Sequence, residues 1–281
     1  MEIGCLCKII LVILSLYLIK KIIYMHSMFT ILNPLDQFEI RDLLIMEIPL
    51  LNNIHISFTN MVLYLIISFT IIVIMNTMTN KYMNIVYRNW KLAAESIHDT
   101  VYGITVDQIN KYAGQMYFPF IYTLFIFILI NNLIGMVPYS FSTTSHFLLT
   151  FALSFSVVIG ATILGFWEHK LKFFSLFVPA GCPLALLPVL VLIEFISYLT
   201  RNISLGLRLA ANLFSGHMLL NILSGFTFKI MNSGILYLFL GLLPLSFIIA
   251  FSTLELAIAF IQAQVFIVLT CSYIKDSLEL H

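Results

Sequence analysis

Uninterrupted apolar runs are the feature that most constrains what this chain can fold into. A helix needs roughly 20 apolar residues to span a bilayer, and runs near that length occur at Phe58–Met75, Tyr117–Met136 and Phe147–Trp167. Apolar types make up 61% of the 281 residues and charged types only 10%, too few for a water-exposed surface. Lipid cannot satisfy free backbone N–H and C=O groups, and the runs are continuous instead of alternating. The sequence therefore predicts an all-α polytopic membrane protein.

Two further apolar segments, Pro183–Ser224 and Ile235–Tyr273, are too long for a simple span. At about 1.5 Å per residue, about 42 helical residues reach about 63 Å, twice the thickness of the hydrocarbon core. We therefore expect about five membrane helices, of which the last two are strongly tilted or bent and form a hairpin. Possible bend positions are Pro188, Gly206, Gly216 and Pro244.

The most polar stretch of the chain, Asn80–Lys111, mixes apolar residues with charges. This pattern is typical of an amphipathic helix that lies in the membrane surface. Lysines and arginines occur in this stretch and in the Glu168–Lys172 turn, whereas the Pro138–His146 turn has none. Because basic connections favour the inner side, we expect these two inside. The acidic segment Pro34–Ile48 is then outside and the C-terminus inside.

Residues 1–33 are predicted to form an N-terminal extension that is removed, and residues 34–281 one membrane domain. The apolar run within Cys5–Tyr24 has about 11 residues, which is too short to span and typical of a leader. The four cysteines have no partners at a usual metal spacing, so we interpret them as small apolar residues. Neither a cofactor motif nor a phosphate-binding loop is predicted. A net charge of +1 without a basic stripe predicts no nucleic-acid partner.

Arg208 is the least expected residue, because it lies deep inside the first long segment. An arginine at the centre of a membrane helix costs about 2.5–3.5 kcal/mol. The alternative is an arginine near a helix end whose head group reaches the interface. Against it, more than a dozen mainly apolar residues follow before Lys229. Since arginine does not lose its proton, the predicted role is a fixed positive charge.

Helical phase aligns further polar residues within the two long segments. One side of the first segment carries four of them: Glu194, Arg201, Arg208 and Asn212. A second stripe on the last segment consists of Glu255, Gln262 and Asp276. For any single residue, the alternative is a polar side chain that a neighbouring helix satisfies.

An antiparallel arrangement of the two segments divides the titratable residues into two clusters. His217 and Glu255 fall toward the outside, Glu194 and Asp276 toward the inside, and Arg208 lies between them. Gln262 is then expected near the level of the arginine. Carboxylates and histidines inside a membrane are typical of proton relays. The pattern therefore indicates two half-channels kept apart by a charge that a proton cannot cross.

Several motifs resemble one family. The run Ser204–Asn212 (Ser-Leu-Gly-Leu-Arg-Leu-Ala-Ala-Asn), with Gly216 and His217 after it, resembles the signature of subunit a of F-type ATP synthases. Four other runs resemble the fungal mitochondrial forms of that subunit: Asn33–Arg41, Met136–Phe141, Phe174–Gly181 and Ser272–Asp276. In bacterial relatives, glutamate stands in place of His217 and histidine in place of Glu255, so this chain has the mitochondrial arrangement.

The resemblance implies a stator subunit of the mitochondrial inner membrane that is not an enzyme on its own and that passes protons to a rotor ring of c subunits. Arg208 would face the ring and drive the proton off each incoming carboxylate. The outer half-channel would be lined by His217, Glu255, Asn212 and Gln262, and the inner one by Glu194 and Asp276. The surface helix would meet the peripheral stalk, and other membrane-sector subunits and lipid would surround the chain.

Two other functions are compatible with the apolar sequence. An antiporter-like proton-pumping subunit of a respiratory complex would be expected to show inverted repeats, and the sequence has no repeat. A membrane scaffold that transports nothing would tolerate the loss of the Arg208 side chain.

Overall fold

A computed structural model describes residues 35–48, 54–81, 89–109, 111–137, 140–178 and 186–278. The predicted leader, residues 1–33, lies outside these ranges, as do Cys5, Cys7 and Cys182. Cys271 is fully buried among apolar side chains, in agreement with its interpretation as a small apolar residue.

The described residues contain six long helices: α1 (Asn60–Lys81), α2 (Asn89–Ile109), α3 (Lys111–Gly135), α4 (Phe147–His169), α5 (Leu187–Met231) and α6 (Ile235–Leu278). All except α2 contain stretches long and apolar enough to cross a membrane, which gives five spans. The predictions of an all-α polytopic fold and of about five membrane helices are confirmed.

The two last helices are unbroken and of unusual length, with 45 residues in α5 and 44 in α6. A straight helix of that length measures about 66 Å, so neither can stand upright within a bilayer core of about 30 Å. Pro188 lies in the first turn of α5, where a missing N–H costs no hydrogen bond. It therefore begins the helix, and its prediction as a bend position is wrong. Pro244 does lie inside α6.

A short β-hairpin precedes α1 and was not predicted. Strands β1 (Asp42–Ile48) and β2 (Ile54–Thr59) pair antiparallel, with Glu47 opposite His55. A 3-10 turn at Asp36–Phe38 comes before them. The alternation of apolar and polar residues in β2 is the local signal for a strand.

The predicted surface helix is present as α2, although it is shorter than the Asn80–Lys111 stretch. One side of α2 packs against α3 and α6, where Val101, Thr105 and Ile109 are buried. Its charged residues Lys91, Glu95 and Asp99 are exposed. Much of the apolar side of α2 is thus covered by the protein itself, although Leu92 is exposed, and the position of α2 at a membrane surface stays a prediction.

The core lies where α3, α4, α5 and α6 meet, and the α5–α6 hairpin makes the most extensive helix–helix contact. Gly206 allows α5 to approach α4 closely. A Cβ atom at this position would lie 2.9 Å from Ser154 Oγ and 3.2 Å from the backbone oxygen of Thr150. A backbone oxygen within a helix has little room to move, so a Cβ at this position would force α4 and α5 to shift relative to each other.

We expect Gly206→Ala to destabilise the protein by about 1–3 kcal/mol, because the added methyl group forces α4 and α5 apart. Thermal inactivation of the purified assembly measures the effect. Gly160→Ala on α4 is the matched control, since a Cβ there meets no atom of the described residues within 4 Å. If both variants were equally stable, the close approach of the two helices would have no energetic importance.

Candidate functional site

Three polar pairs connect α5 and α6 at successive levels of their antiparallel hairpin. His217 Nδ1 lies 3.4 Å from Glu255 Oε1. The side-chain amide of Asn212 donates a 3.1 Å hydrogen bond to Gln262 Oε1. Arg201 lies 3.7 Å from the carboxylate of Asp276.

The pair His217–Glu255 is here called the outer pair, because the sequence predicts it toward the outside. It is almost sealed from its surroundings, since the two side chains are only 11% and 6% exposed. The neighbouring Gly216 makes this burial possible. A Cβ atom on Gly216 would lie 2.8 Å from Glu255 Oε1, so the carboxyl group occupies the space that any side chain would need. The structure thus brings together the two residues that the sequence placed in one cluster.

Below this pair, the bond between Asn212 and Gln262 continues the line of polar side chains. Gln262 is buried, and Asn212 lies one helical turn, about 6 Å, from Arg208 along α5. Gln262, which was expected near the level of Arg208, thus contacts α5 one turn away from that arginine. The residues of α6 that line a cavity with Arg208 are Leu269 and Tyr273.

Arg208 is exposed on the surface of α5. Within the part of the chain that the structure describes, no carboxylate forms an ion pair with its guanidinium. It borders an open cavity of about 430 Å³ that extends along α5 to Arg201 and includes Tyr273 of α6. Arg208 and Arg201 thus lie at two levels of one cavity, about 10 Å apart along the helix.

The inner pair differs from the one predicted. The sequence placed Asp276 with Glu194, whereas the structure places Asp276 beside Arg201. The side chain of Arg201 is 52% exposed and that of Asp276 is 40% exposed. Glu194 is half-buried on α5, about 10 Å further along the helix from Arg201. Sequence reasoning gave Arg201 no role, although its spacing of two helical turns from Arg208 was visible.

A buried polar turn next to the outer pair was also missed as part of the site. Ser142, Thr143, Thr144 and Ser145 are all buried, and Thr143 donates a 3.1 Å hydrogen bond to Asn131 Oδ1 of α3. A Cβ atom built on Gly135 would lie 3.1 Å from Ser142 Cβ and 4.0 Å from His217 Nε2, so this end of α3 lies between the turn and the histidine. The run of hydroxyl residues was the available signal.

Polar and titratable pairs inside membrane-spanning helices are typical of membrane proteins with an ion pathway, because such groups are costly in lipid. The chain matches the family model for the ATP synthase A chain over residues 59–275. It belongs to this family, as its motifs predicted, and is a multi-pass membrane subunit of ATP synthase.

Three fungal proteins named ATP synthase subunit a illustrate the similarity. The protein of Cochliobolus heterostrophus is 68% identical over 252 residues, which are 90% of this chain and 98% of its own. That of Podospora anserina is 66% identical over 249 residues, with 89% and 94% covered. That of Emericella nidulans is 65% identical over 259 residues, with 92% and 100% covered.

We expect Gly216→Ala to lower proton pumping by the assembled ATP synthase several-fold while changing its stability less than Gly206→Ala does. The added Cβ meets the flexible end of Glu255, which can swing aside but then leaves His217. Pumping and thermal inactivation are measured on the same preparation. Gly225→Ala on α5 is the control, because its Cβ would meet no described atom within 4 Å. Equal pumping by both variants would contradict a role for this contact.

The polar turn also predicts a pH dependence of stability. Burial lowers the pKa of His146, which stacks on Phe141, below its ordinary value of 6.5. As the pH is lowered, the unfolded chain therefore takes up a proton at this histidine before the folded chain does. The contribution of His146 to the free energy of unfolding is fully present above pH 6.5 and is lost as the pH falls below that value. His146→Gln should reduce this acid sensitivity in thermal unfolding measured at pH 5 and pH 7.5. An unchanged difference between the two pH values would show that other groups cause it.

Proposed function

We propose that this protein is the proton-translocating stator subunit of the membrane sector of a mitochondrial F-type ATP synthase. It lies in the mitochondrial inner membrane and provides two half-channels that load and unload the carboxylates of a rotor ring of c subunits. The chain catalyses no reaction by itself, and ATP is made elsewhere in the complex. Its family membership and the resemblance of its motifs to the fungal mitochondrial forms support this assignment.

The observation that carries the proposal is the exposed guanidinium of Arg208 at mid-length of a membrane helix. A permanent cation in this position costs about 2.5–3.5 kcal/mol unless an anionic partner or a polar cavity compensates it. The described part of the chain offers it no ion pair with a carboxylate. A carboxylate of another subunit that moves past Arg208 would supply the compensation and lose its proton there, because the cation favours its charged form.

The α5 surface next to Arg208 is suited to a moving partner. Leu207, Ala211 and Ser215 are exposed beside it, so the flanking residues are apolar or small. Small side chains let a neighbouring helix approach closely without interlocking. A rotor helix could thus bring its carboxylate to the guanidinium and slide onward.

The outer half-channel is formed by His217 and Glu255, followed by Asn212 and Gln262 at the next level. A proton passed between an imidazole and a carboxylate 3.4 Å apart needs no large movement of either group. The amide pair continues the polar line toward the rotor face. Amides do not titrate, so they provide hydrogen bonds on the way without trapping the proton.

The inner half-channel corresponds to the cavity between Arg208 and Arg201. Asp276 lies beside Arg201 at its inner end, and Glu194 follows further along α5. Carboxylates at this end would accept protons that leave the rotor and release them to the matrix. The two half-channels meet only at Arg208, whose positive charge repels a proton that would otherwise pass directly.

The barrier matters as much as the channels. One proton that crosses a potential of 100 mV releases about 2.3 kcal/mol, which a direct leak would dissipate as heat.

Exposed charges on α2, among them Lys91 and Glu95, support the proposal that this helix meets the peripheral stalk. A stator needs such an anchor to resist the rotation of its neighbour.

Replacing the cation tests the proposal directly. We expect Arg208→Ala to abolish ATP-driven proton pumping by the reconstituted complex, and Arg208→Lys to retain only a small part of it, because lysine lacks the planar fork of the guanidinium. Acidification of the vesicles is the measurement, and the subunit content of the same preparation shows that the complex has assembled.

Lys229→Ala is the matched control, since it removes an exposed cation from the last turn of the same helix. It should leave pumping unchanged. Full coupled pumping by Arg208→Ala would exclude the proposal and favour a scaffold that transports nothing.

A further inference from the structure

The segment Leu35–Arg41, here called the outer wall, is fixed to the start of α1. The side-chain amide of Asn60 donates a 3.1 Å hydrogen bond to the backbone oxygen of Glu39. In return, Asn60 Oδ1 accepts the backbone N–H of Arg41 at 3.3 Å. The backbone N–H of Phe38 bonds to the oxygen of Leu35 at 2.9 Å and closes the 3-10 turn. The outer wall therefore has a defined conformation although it lies outside the long helices.

The other side of the outer wall lies against one stripe of α5. The amide of Asn221 donates a 2.7 Å hydrogen bond to Gln37 Oε1. The ring of Phe38 lies 4.8 Å from that of Phe214 and 6.5 Å, edge to face, from the imidazole of His217. The three α5 residues are separated by three and four positions, so they share one face of the helix.

From these contacts we infer that Phe38 and Gln37 are positioning residues for His217, and that the outer wall closes one side of the His217–Glu255 pair to water. The inference rests on the proposed function insofar as it concerns proton flow. The burial of the pair and the contacts of the wall are independent of that function.

The hydrogen bond of Gln37 sets where the ring of Phe38 lies along α5. Asn221 is one helical turn beyond His217, and its bond to Gln37 places the next residue of the wall beside the imidazole. The ring then lies edge to face with the imidazole, with 6.5 Å between the ring centres. An apolar ring in this position limits rotation of the imidazole and holds Nδ1 toward the carboxylate.

The wall also explains how a pair inside an outer half-channel can be so little exposed. The side chain of His217 is only 11% exposed although it lies on the half of α5 nearest the outer wall. Phe38 comes from a part of the chain more than 170 residues away in sequence, so no helix of the hairpin could replace it. Proton access is then left to the side of the pair where Gly135 lies between the buried polar turn and His217.

The first test measures access to His217 in the assembled ATP synthase. Diethyl pyrocarbonate modifies neutral imidazoles that solvent can reach, and mass spectrometry of the peptide that contains His217 gives the rate. We expect several-fold faster modification in Phe38→Ala than in the unchanged protein. We also expect a different pH at half-maximal rate, because water admitted to the imidazole changes the solvation of its charged form. Phe38→Tyr keeps the ring and should restore the original rate and pH profile.

Ile40→Ala is the matched control, because Ile40 belongs to the same segment and is half exposed. It should change neither the rate nor the pH profile. Equal modification rates of His217 in Phe38→Ala and Ile40→Ala would overturn the inference, whatever the outcome for Arg208→Ala. ATP hydrolysis and subunit content show that each variant has assembled.

The second test asks whether the wall is fixed or mobile. Cysteines in the double variant Gln37→Cys, Asn221→Cys are joined by a short bis-methanethiosulfonate linker, and each single variant serves as the control. A fixed wall predicts that the link forms and that the linked double variant pumps protons at least as fast as the same variant before linking, because the linker replaces the lost Gln37–Asn221 hydrogen bond. Loss of pumping on linking, with recovery after reduction, would show that the segment must move and would overturn its role as a wall. Failure to link would show that the two residues do not meet.

The modification test and the pumping experiment on Arg208→Ala together separate this inference from the proposed function. If Arg208→Ala pumped normally while Phe38→Ala still exposed His217, the proposed function would fail and the wall would stand. If Arg208→Ala lost pumping while Phe38 had no influence on His217, the reverse would hold.

Discussion

The cost of an unpaired polar group in lipid determines how the last two helices are joined. The α5–α6 hairpin carries its polar side chains at matching levels, so that Glu255 faces His217, Gln262 faces Asn212 and Asp276 faces Arg201. Each contact removes a penalty that lipid would impose on both partners. Together they fix the register of two mainly apolar helices that could otherwise pack in several ways. Arg208 departs from this pattern, and its exposure is the reason for assigning a partner outside the chain.

The sequence alone predicted the membrane helices well, because the bilayer imposes a length and a composition that leave little choice. The predicted span Phe147–Trp167 and the observed helix Phe147–His169 begin at the same residue. The two long segments were also recognised, although α5 extends beyond Ser224 to Met231. The stretch that became α2 was predicted too long at both ends, since Asn80 and Lys81 belong to α1 and Lys111 to α3. Charges mark the polarity of a helix but not its boundaries.

Contacts between distant segments could not be predicted in the same way. Helical phase orders the residues of one helix around its axis, but it does not say which side meets the neighbour. This is why Asp276 was paired with Glu194 when Arg201 was closer. The β-hairpin was missed because its segment was interpreted by overall polarity, although β2 alternates. Phe38 could not be connected with His217 at all, because nothing local links a 3-10 turn to a helix so far along the chain. The expectation of a rotor ring came from the family resemblance, because the periodicity of polar residues in one chain does not identify a partner subunit.

The matched levels of the hairpin have a mechanical consequence. A helix packed by ridges and grooves shifts along its neighbour in steps of about one turn, roughly 5.4 Å. Such a slip between α5 and α6 would break all three polar contacts at once, because each is made at a single level. The two helices of the hairpin are therefore expected to move together as one rigid unit. If a rotor turns against the face of α5, the sideways load at Arg208 is shared by both helices over their full length, and the distance between the inner and outer polar clusters stays constant under torque.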